Sequence, residues 1–177
     1  MKQRRVRLFV AASLDGYIAT AEGGVEWLFQ DQDYGLNRFM GEVDTVLLGR
    51  KTYDWMVGHG VTSYEGLRNY VFSRSQESGP DPSVQFITED ATVFVESLRL
   101  ERGGDIWLVG GGQLFSSLLE AELVDEIMLA IHPVILGDGI PLFLSGLGTV
   151  PLRLDEVQSF ETGLVMMSYR VERPGNR

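Results

Sequence analysis

Cysteine is absent from the 177 residues, and histidine occurs only twice, at His59 and His132. The first absence excludes disulfides, thiolate nucleophiles and thiolate metal sites. The second argues against a histidine-rich metal centre. Cations are scarce too: 15 Lys and Arg stand against 25 Asp and Glu, a formal charge of −10. Nucleic acid is therefore not an expected partner, because it demands clustered cations. No apolar run approaches the roughly 20 residues of a membrane helix, so no membrane partner is expected. The run from Val6 to Ala12 is too short for the core of a signal peptide. It reads as a first strand, and a cytoplasmic location follows as the expectation. Also missing are a Gly-x-Gly-x-x-Gly fingerprint, a Ser-His-Asp arrangement and a paired-carboxylate motif, which leaves Rossmann-type and hydrolase readings without support.

What is present is ordinary in bulk and informative in detail. A hydrophobic fraction of 44% is enough for a substantial core in one domain. The chain is organised around Ile106-Trp107-Leu108-Val109-Gly110-Gly111-Gly112-Gln113-Leu114-Phe115. Four apolar residues run into three glycines, and an amphipathic helical pattern follows. That is a buried strand turning sharply into a helix start, the place where open α/β sheets bind ligands. Glycine admits a phosphate close to the backbone, and the free N–H groups of the helix start attract its charge.

Strands and helices alternate up to residue 123. Val6–Ala12, Val43–Leu48, Tyr70–Phe72 and Val84–Ile87 read as strands. Helices are predicted from Asp31 to Met40 with Asp31 or Asp33 as cap, and from Thr52 to Val57. A third is predicted from Thr88 or Asp90 to about Arg102, with Val93, Phe94, Leu98 and Leu100 as core candidates. Gln76 to Ser83 reads as a surface loop. A long strand from Ile127 breaks at His132-Pro133, and Leu152–Phe160 with Leu164–Val171 forms a closing hairpin. The pattern predicts an α/β fold: a mostly parallel mixed sheet, helices on both faces, and an antiparallel hairpin at the end.

Three predicted strand ends converge on one edge of such a sheet: Gly49-Arg50-Lys51-Thr52, Ser73-Arg74-Ser75 and Gly110-Gly111-Gly112. Together they suit a ligand with several phosphates, such as NADPH, with Arg50 and Arg74 on its extra phosphate. The alternative is that these are solvated loop charges. The acids near the first long loop are Asp15, Glu26, Asp31 and Asp33. A carboxyl group in an apolar pocket can orient a ring and assist its protonation, whereas a turn role for Asp15 and a cap role for Asp31 and Asp33 are the bland readings. His132 reads as a satisfied strand residue rather than a ligand.

Four segments, in this order, resemble the dihydrofolate reductase-like superfamily over nearly the whole chain. They are Ala12-Ser13-Leu14-Asp15-Gly16-Tyr17-Ile18-Ala19, Leu48-Gly49-Arg50-Lys51-Thr52-Tyr53, Val109-Gly110-Gly111-Gly112, and Pro133 to Phe143 with its Leu136-Gly137-Asp138-Gly139-Ile140-Pro141 loop. The chain looks closest to stand-alone proteins similar to the reductase domain of riboflavin-biosynthesis deaminase-reductases.

That resemblance implies a three-layer reductase fold that binds NADPH, reduces a pterin- or pyrimidine-type heterocycle, and forms a homodimer. The cofactor residues it implies are Ala12, Ile18, Gly49, Arg50, Lys51, Thr52, Ser73, Arg74, Val109, Gly110, Gly111, Gly112, Gln113 and Leu114, with a cis Gly110-Gly111 peptide. The loop from Asp15 to Leu28 corresponds to a flap over the nicotinamide. In dihydrofolate reductases a substrate carboxylate begins the helix before the second strand; counting back from Gly49 lands on Asp33, with Asp31 as the near alternative. Asp15 completes the catalytic candidates. Riboflavin-pathway reductases often carry a Lys after the Asp-Gly of the first loop, where this chain has Tyr17. Gln113 stands where relatives carry a cation, which shifts the choice of NADPH over NADH onto Arg50 and Arg74. The leading substrates are 5-amino-6-(5-phosphoribosylamino)uracil and dihydrofolate, and a nucleotide-binding protein without turnover is the reading from another class.

Overall fold

The computed structural model describes residues 3–75 and 78–173. An eight-stranded sheet is built from β1 (Val6–Ser13), β3 (Val43–Gly49), β4 (Arg68–Phe72), β5 (Val84–Ile87), β6 (Asp105–Gly110), β7 (Glu126–His132), β9 (Leu152–Ser159) and β10 (Val165–Val171). Its order is β5-β4-β3-β6-β1-β7-β10-β9. The six strands from β5 to β7 are parallel, while β10 is antiparallel to both β7 and β9. A separate ribbon pairs β2 (Tyr17–Ala19) with β8 (Ile140–Pro141).

Four helices connect the strands: α1 (Leu36–Met40), α2 (Arg50–Gly58), α3 (Ala91–Leu100) and α4 (Gly112–Glu120). β6 shows why its sequence is apolar throughout. Ile106 and Leu108 join the core under α3 and α4, whereas Trp107 and Val109 join the core that holds Tyr53 and Met56 of α2. A strand covered on both faces has no solvent side to make polar. α4 buries Leu114, Phe115, Leu118 and Leu119, a stripe at helical spacing. Fully burying one such side chain contributes roughly 1.5–3 kcal/mol.

The predicted α/β layout is the observed one, with local corrections. α1 starts at Leu36 rather than Asp31, because Tyr34 and Gly35 take φ of 51° and 83°, which a right-handed helix cannot include. α2 starts earlier than expected, at Arg50. In α3, Val93 and Leu100 lie outside the core, at 57% and 74% exposure. The buried face is Val95, Leu98 and Arg99 instead. Arg99 can occupy a core position because its guanidinium donates to Leu123 O and Asp125. The first two residues of the expected loop from Gln76 to Ser83 lie outside the described residues.

Candidate functional site

The connections diverge at one place in the sheet. β3 feeds through α2 to β4 on one side, and its neighbour β6 feeds through α4 to β7 on the other. α2 and α4 pack into different cores, so they leave the sheet on opposite faces. The result is a crevice beyond the carboxyl ends of β3 and β6, where open sheets bind ligands. Gly49 and Gly111 form its floor. A Cβ on Gly49 would stand 3.1 Å from Gly111 Cα, and one on Gly111 would stand 3.0 Å from Gly49 Cα. Gly111 also takes φ 108°, a conformation that side-chain-bearing residues rarely adopt.

Both helices that begin at this floor lack a side-chain cap: the N-cap of α2 is Gly49 and that of α4 is Gly111. Of the other two helices, α3 has a side-chain cap, while α1 has a glycine N-cap, Gly35, without one and is bonded from Asp33 just upstream. Asp90 accepts from Thr92 N at 2.8 Å ahead of α3, and Asp33 accepts from Asn37 N at 2.9 Å ahead of α1. Two adjacent helix starts without side-chain caps have the chemistry of a candidate anion site. Arg50, Lys51 and Arg74 line the same groove. Arg50 donates to Asp54 at 2.8 Å and lies 5.5 Å from the Phe86 ring centre, which holds its guanidinium along the wall.

The groove encloses about 1560 Å³. One drug-sized ligand takes roughly 300–1,000 Å³, so there is room for a dinucleotide and a second molecule. Its two ends differ. One is walled by the segments after β3, β4, β5 and β6, including Thr52, Ser73, Thr88, Glu89 and Gln113. The other lies over β1 and β7 and is walled by Phe9, Ala11, Trp107, Ala130, Leu164 and Met166, with Gln30, Gln32, Asp33 and Tyr64 at its rim. Burial pushes the Tyr64 hydroxyl up to about 12, so it stays a neutral hydrogen-bonding group.

The long loop after β2 closes over this groove and is pinned at two points. Trp55 of α2 donates its indole N–H to Gly23 O at 3.0 Å. At the far end Phe29 N donates to His132 Nε2 at 3.1 Å. The Trp27 and Phe29 rings pack on the His132 ring at 5.2 and 5.0 Å. His132 is buried, and its Nδ1 lies 3.1 Å from Ala130 O. Since Ala130 O can only accept, Nδ1 carries the proton and Nε2 receives the loop. Burial holds its pKa below the ordinary value. As expected from sequence, His132 is a satisfied strand residue; its use as the loop's anchor was not foreseen.

The three predicted acids fare differently. Asp15 does not line the groove; it accepts from Ser13 Oγ at 2.6 Å, Gly137 N at 2.8 Å and Leu136 N at 3.1 Å. Those bonds tie the first loop to the glycine loop and hold its carboxyl below the usual range. Asp31 also lies off the groove, accepting from Tyr34 Oη at 2.6 Å, which lowers its pKa likewise. The structure thus places these two carboxylates in contacts that hold loops, away from the groove lining. Asp33 does line the groove, at the rim of the end over β1 and β7, and its oxygens accept from Gly35 N and Asn37 N.

Among the cofactor candidates, Ile18, Gly49, Arg50, Lys51, Thr52, Ser73, Arg74, Val109, Gly111, Gly112, Gln113 and Leu114 all line the groove. Ala12 is fully buried and does not line the groove, whereas its partly buried neighbour Ala11 does. Gly110 sits one residue back from the wall, against the Thr52 side chain. The expected cis peptide is also corrected, as no cis bond occurs among the described residues. Sequence reasoning missed Trp55, Thr88, Glu89, Tyr64 and the sheet-face residues Phe9, Trp107 and Met166. An apolar residue on a strand reads as core whether it faces a helix or a ligand, so no local signal distinguished them.

Comparison with known proteins bears directly on this groove. The family model for the RibD C-terminal domain matches residues 4–166. The chain belongs to the RibD C-terminal domain family. The uncharacterized protein YyaP of Bacillus subtilis is 35% identical to this chain, with 96% of each chain covered. Among solved structures, a putative riboflavin biosynthesis protein from Shewanella sp. PV-4 superimposes with a TM-score of 0.84 at 24% identity, covering 96% of this chain and 99% of that one. Dihydrofolate reductase from Enterococcus faecalis, complexed with NADP(H) and RAB-propyl, gives 0.72 at 15% identity, covering 97% and 98%. The fold of this RibD C-terminal domain is therefore dihydrofolate reductase-like. Its floor of paired glycines and its two uncapped helix starts fit a pyrophosphate-bearing cofactor.

Proposed function

We propose that the protein is an NADPH-dependent oxidoreductase that reduces a pterin- or pyrimidine-type heterocycle. Its reaction type is that of riboflavin-pathway reductases. The reference substrates are 5-amino-6-(5-phosphoribosylamino)uracil and, as the alternative, dihydrofolate. The observation that carries the reading is the pair of uncapped helix starts meeting at Gly49 and Gly111, inside a groove large enough for two molecules.

NADPH, when bound, supplies a hydride at its nicotinamide ring. The backbone N–H groups at residues 50–52 and 112–114 would hold its pyrophosphate, and Arg50 and Arg74 its extra phosphate. The closed loop at residues 20–35 excludes water, and the apolar floor of Phe9, Ala11 and Trp107 supports a flat ring. Asp33 stands where a carboxyl group can orient that ring or pass a proton to its nitrogen through water.

One observation favours a second reading, a nucleotide-binding protein without turnover: among the described residues Asp33 is the one acid lining the substrate end, and both its oxygens cap α1. Anaerobic NADPH consumption against a panel of dihydropterins, dihydrofolate and aminouracils separates them. At least tenfold stimulation over NADPH alone supports the reductase; saturable binding with no stimulation by any compound supports the second.

The proposal includes a cytoplasmic homodimer. β9 is an edge strand whose residues are all exposed, with Leu154 at 50% and Val157 at 56%. A second β9 laid antiparallel about Leu154 sets Arg153 against Asp155, so the edge is complementary to itself. Sedimentation of wild type and of a Leu154→Lys, Val157→Lys variant tests this: a dimer that becomes a monomer is expected, and a wild-type monomer contradicts it.

A further inference from the structure

We infer that Tyr64 is a substrate-recognition residue: its hydroxyl donates a hydrogen bond to an uncharged acceptor, a carbonyl oxygen or a ring nitrogen, on the heterocycle reduced at this site. The inference rests on the reductase reading and adds a residue to it. Among the described residues two tyrosines line the groove, Tyr34 and Tyr64. Tyr34 is committed to the fold: its hydroxyl donates to Asp31 at 2.6 Å and lies 3.1 Å from Thr162 Oγ1. The Tyr64 hydroxyl has no such partner among the described residues, and burial alone pushes its pKa up to about 12. It is a neutral donor with its hydrogen unspent. The Tyr53 hydroxyl also lacks a partner, but it is sealed inside the protein, whereas Tyr64 belongs to the groove wall.

Tyr64 sits in the connection between α2 and β4, yet it is held from two sides. Asn69 of β4 is 2% exposed and gives its whole side-chain amide to this connection. Its Oδ1 accepts from Tyr64 N at 2.8 Å, and its Nδ2 donates to Tyr64 O at 3.0 Å and to Leu67 O at 2.7 Å. On the other side the Tyr64 ring meets the Trp107 ring at 60°, with centroids 4.7 Å apart. The Trp107 indole is itself tied to Phe9 O at 3.3 Å, and Phe9 and Trp107 wall the same end of the groove. A side chain fixed through its backbone and its ring, with its polar tip left over, is placed to present that tip to a ligand.

Packing alone does not account for the hydroxyl. Phenylalanine would fill the same space against Trp107, and a largely desolvated hydroxyl without a partner costs stability. A ligand that supplies the partner offsets that cost. Because the phenol stays neutral, it suits the C=O or ring-nitrogen edge of a heterocycle. Asp33, a carboxylate lining the same groove, suits the N–H edge. The two together would fix which way round the ring lies.

The test compares wild type with Tyr64→Phe, which keeps the ring and deletes the hydroxyl. NADPH oxidation is followed with 7,8-dihydrobiopterin, 7,8-dihydrofolate and 5-amino-6-(5-phosphoribosylamino)uracil, and both proteins are melted without ligand. With no partner in the fold to lose, the variant should melt within about 3 °C of wild type or above it. Its KM for whichever compound wild type reduces should rise about threefold or more, the effect of one lost neutral hydrogen bond, while KM for NADPH stays within about twofold. A substrate KM that rises by less than about threefold, or a larger fall in melting temperature, overturns the inference and leaves the reductase reading standing. So does an equal rise in both KM values, which would mark a general disturbance of the groove. If wild type reduces none of the three compounds, both fall together.

Discussion

Gly49 and Gly111 lie backbone to backbone, so a Cβ at either would need the other's backbone to give way by a few tenths of an ångström, and the two helices they start converge on one point. Contact between these residues joins the strand-order reversal to the anion site. Substituting alanine at either pushes β3 and β6 apart just where the helix starts must be close. Gly111→Ala carries the added strain of φ 108°. We expect each variant to lose roughly 1–3 kcal/mol of stability in denaturant melts and at least tenfold in NADPH affinity. Alanine variants that bind NADPH like wild type would show that the contact does not shape the site.

Trp55 reaches across the groove to Gly23 O. Trp55→Phe keeps the ring's packing and deletes the N–H donor. Loss of one such bond is worth about 1 kcal/mol, so KM for NADPH should rise about fivefold with thermal stability almost unchanged. A drop in kcat with unchanged KM would mean that the bond acts later than closure.

His132 gives the fold a dependence on pH. Its folded-state pKa is lowered by burial, so on acidification the unfolded chain takes up the proton first. Its contribution is complete above about 6.5 and is lost as pH falls from there toward the folded value, by at most about 1.4 kcal/mol per pH unit. Protonation also gives Nε2 a hydrogen, which evicts Phe29 N and frees the loop. Thermal melts from pH 7.5 to 5.5 should show a slope that His132→Gln removes. An identical slope in the variant would assign it to other groups.

Asp33→Asn separates the two roles open to Asp33. Asparagine caps helices about as well as aspartate, so melting should not change. If the carboxyl group orients or protonates the substrate, kcat/KM falls by a hundredfold or more. Unchanged turnover would leave Asp33 as a cap alone.

Arg74 is an exposed residue of the groove lining, and Gln113, which also lines the groove, is neutral. Arg74→Ala should weaken NADPH at least tenfold while changing NADH by less than twofold, with the preference fading at high salt. Equal losses for both cofactors would place Arg74 away from the extra phosphate.

The sheet was legible because its signals are local. Continuous apolar runs such as Ile106–Val109 mark strands covered on both faces, and glycines that follow them mark the crevice. Gly49, Arg50, Thr52, Ser73 and Gln113 could be placed in the groove that way, since each lies at the end of such a strand or within three residues after it. What sequence could not show depends on tertiary partners. Arg99 is buried because Leu123 O and Asp125 await it, and that displaced Leu100 from its expected place in the core. The partners of Asp15 and Asp31, Gly137 N across the fold and Tyr34 Oη within the same loop, could not be read from sequence either. The substrate wall stayed hidden, for Phe9, Trp107 and Met166 read as ordinary core.

The central claim is that two uncapped helix starts at Gly49 and Gly111 hold the phosphates of NADPH. Its most direct measurement is a calorimetric titration of the wild-type protein with NADPH, repeated with a Gly111→Ala variant. Saturable one-site binding at micromolar concentration, lost or weakened at least tenfold in the variant, is the predicted result. No saturable binding to wild type, or equal binding by both proteins, would contradict it.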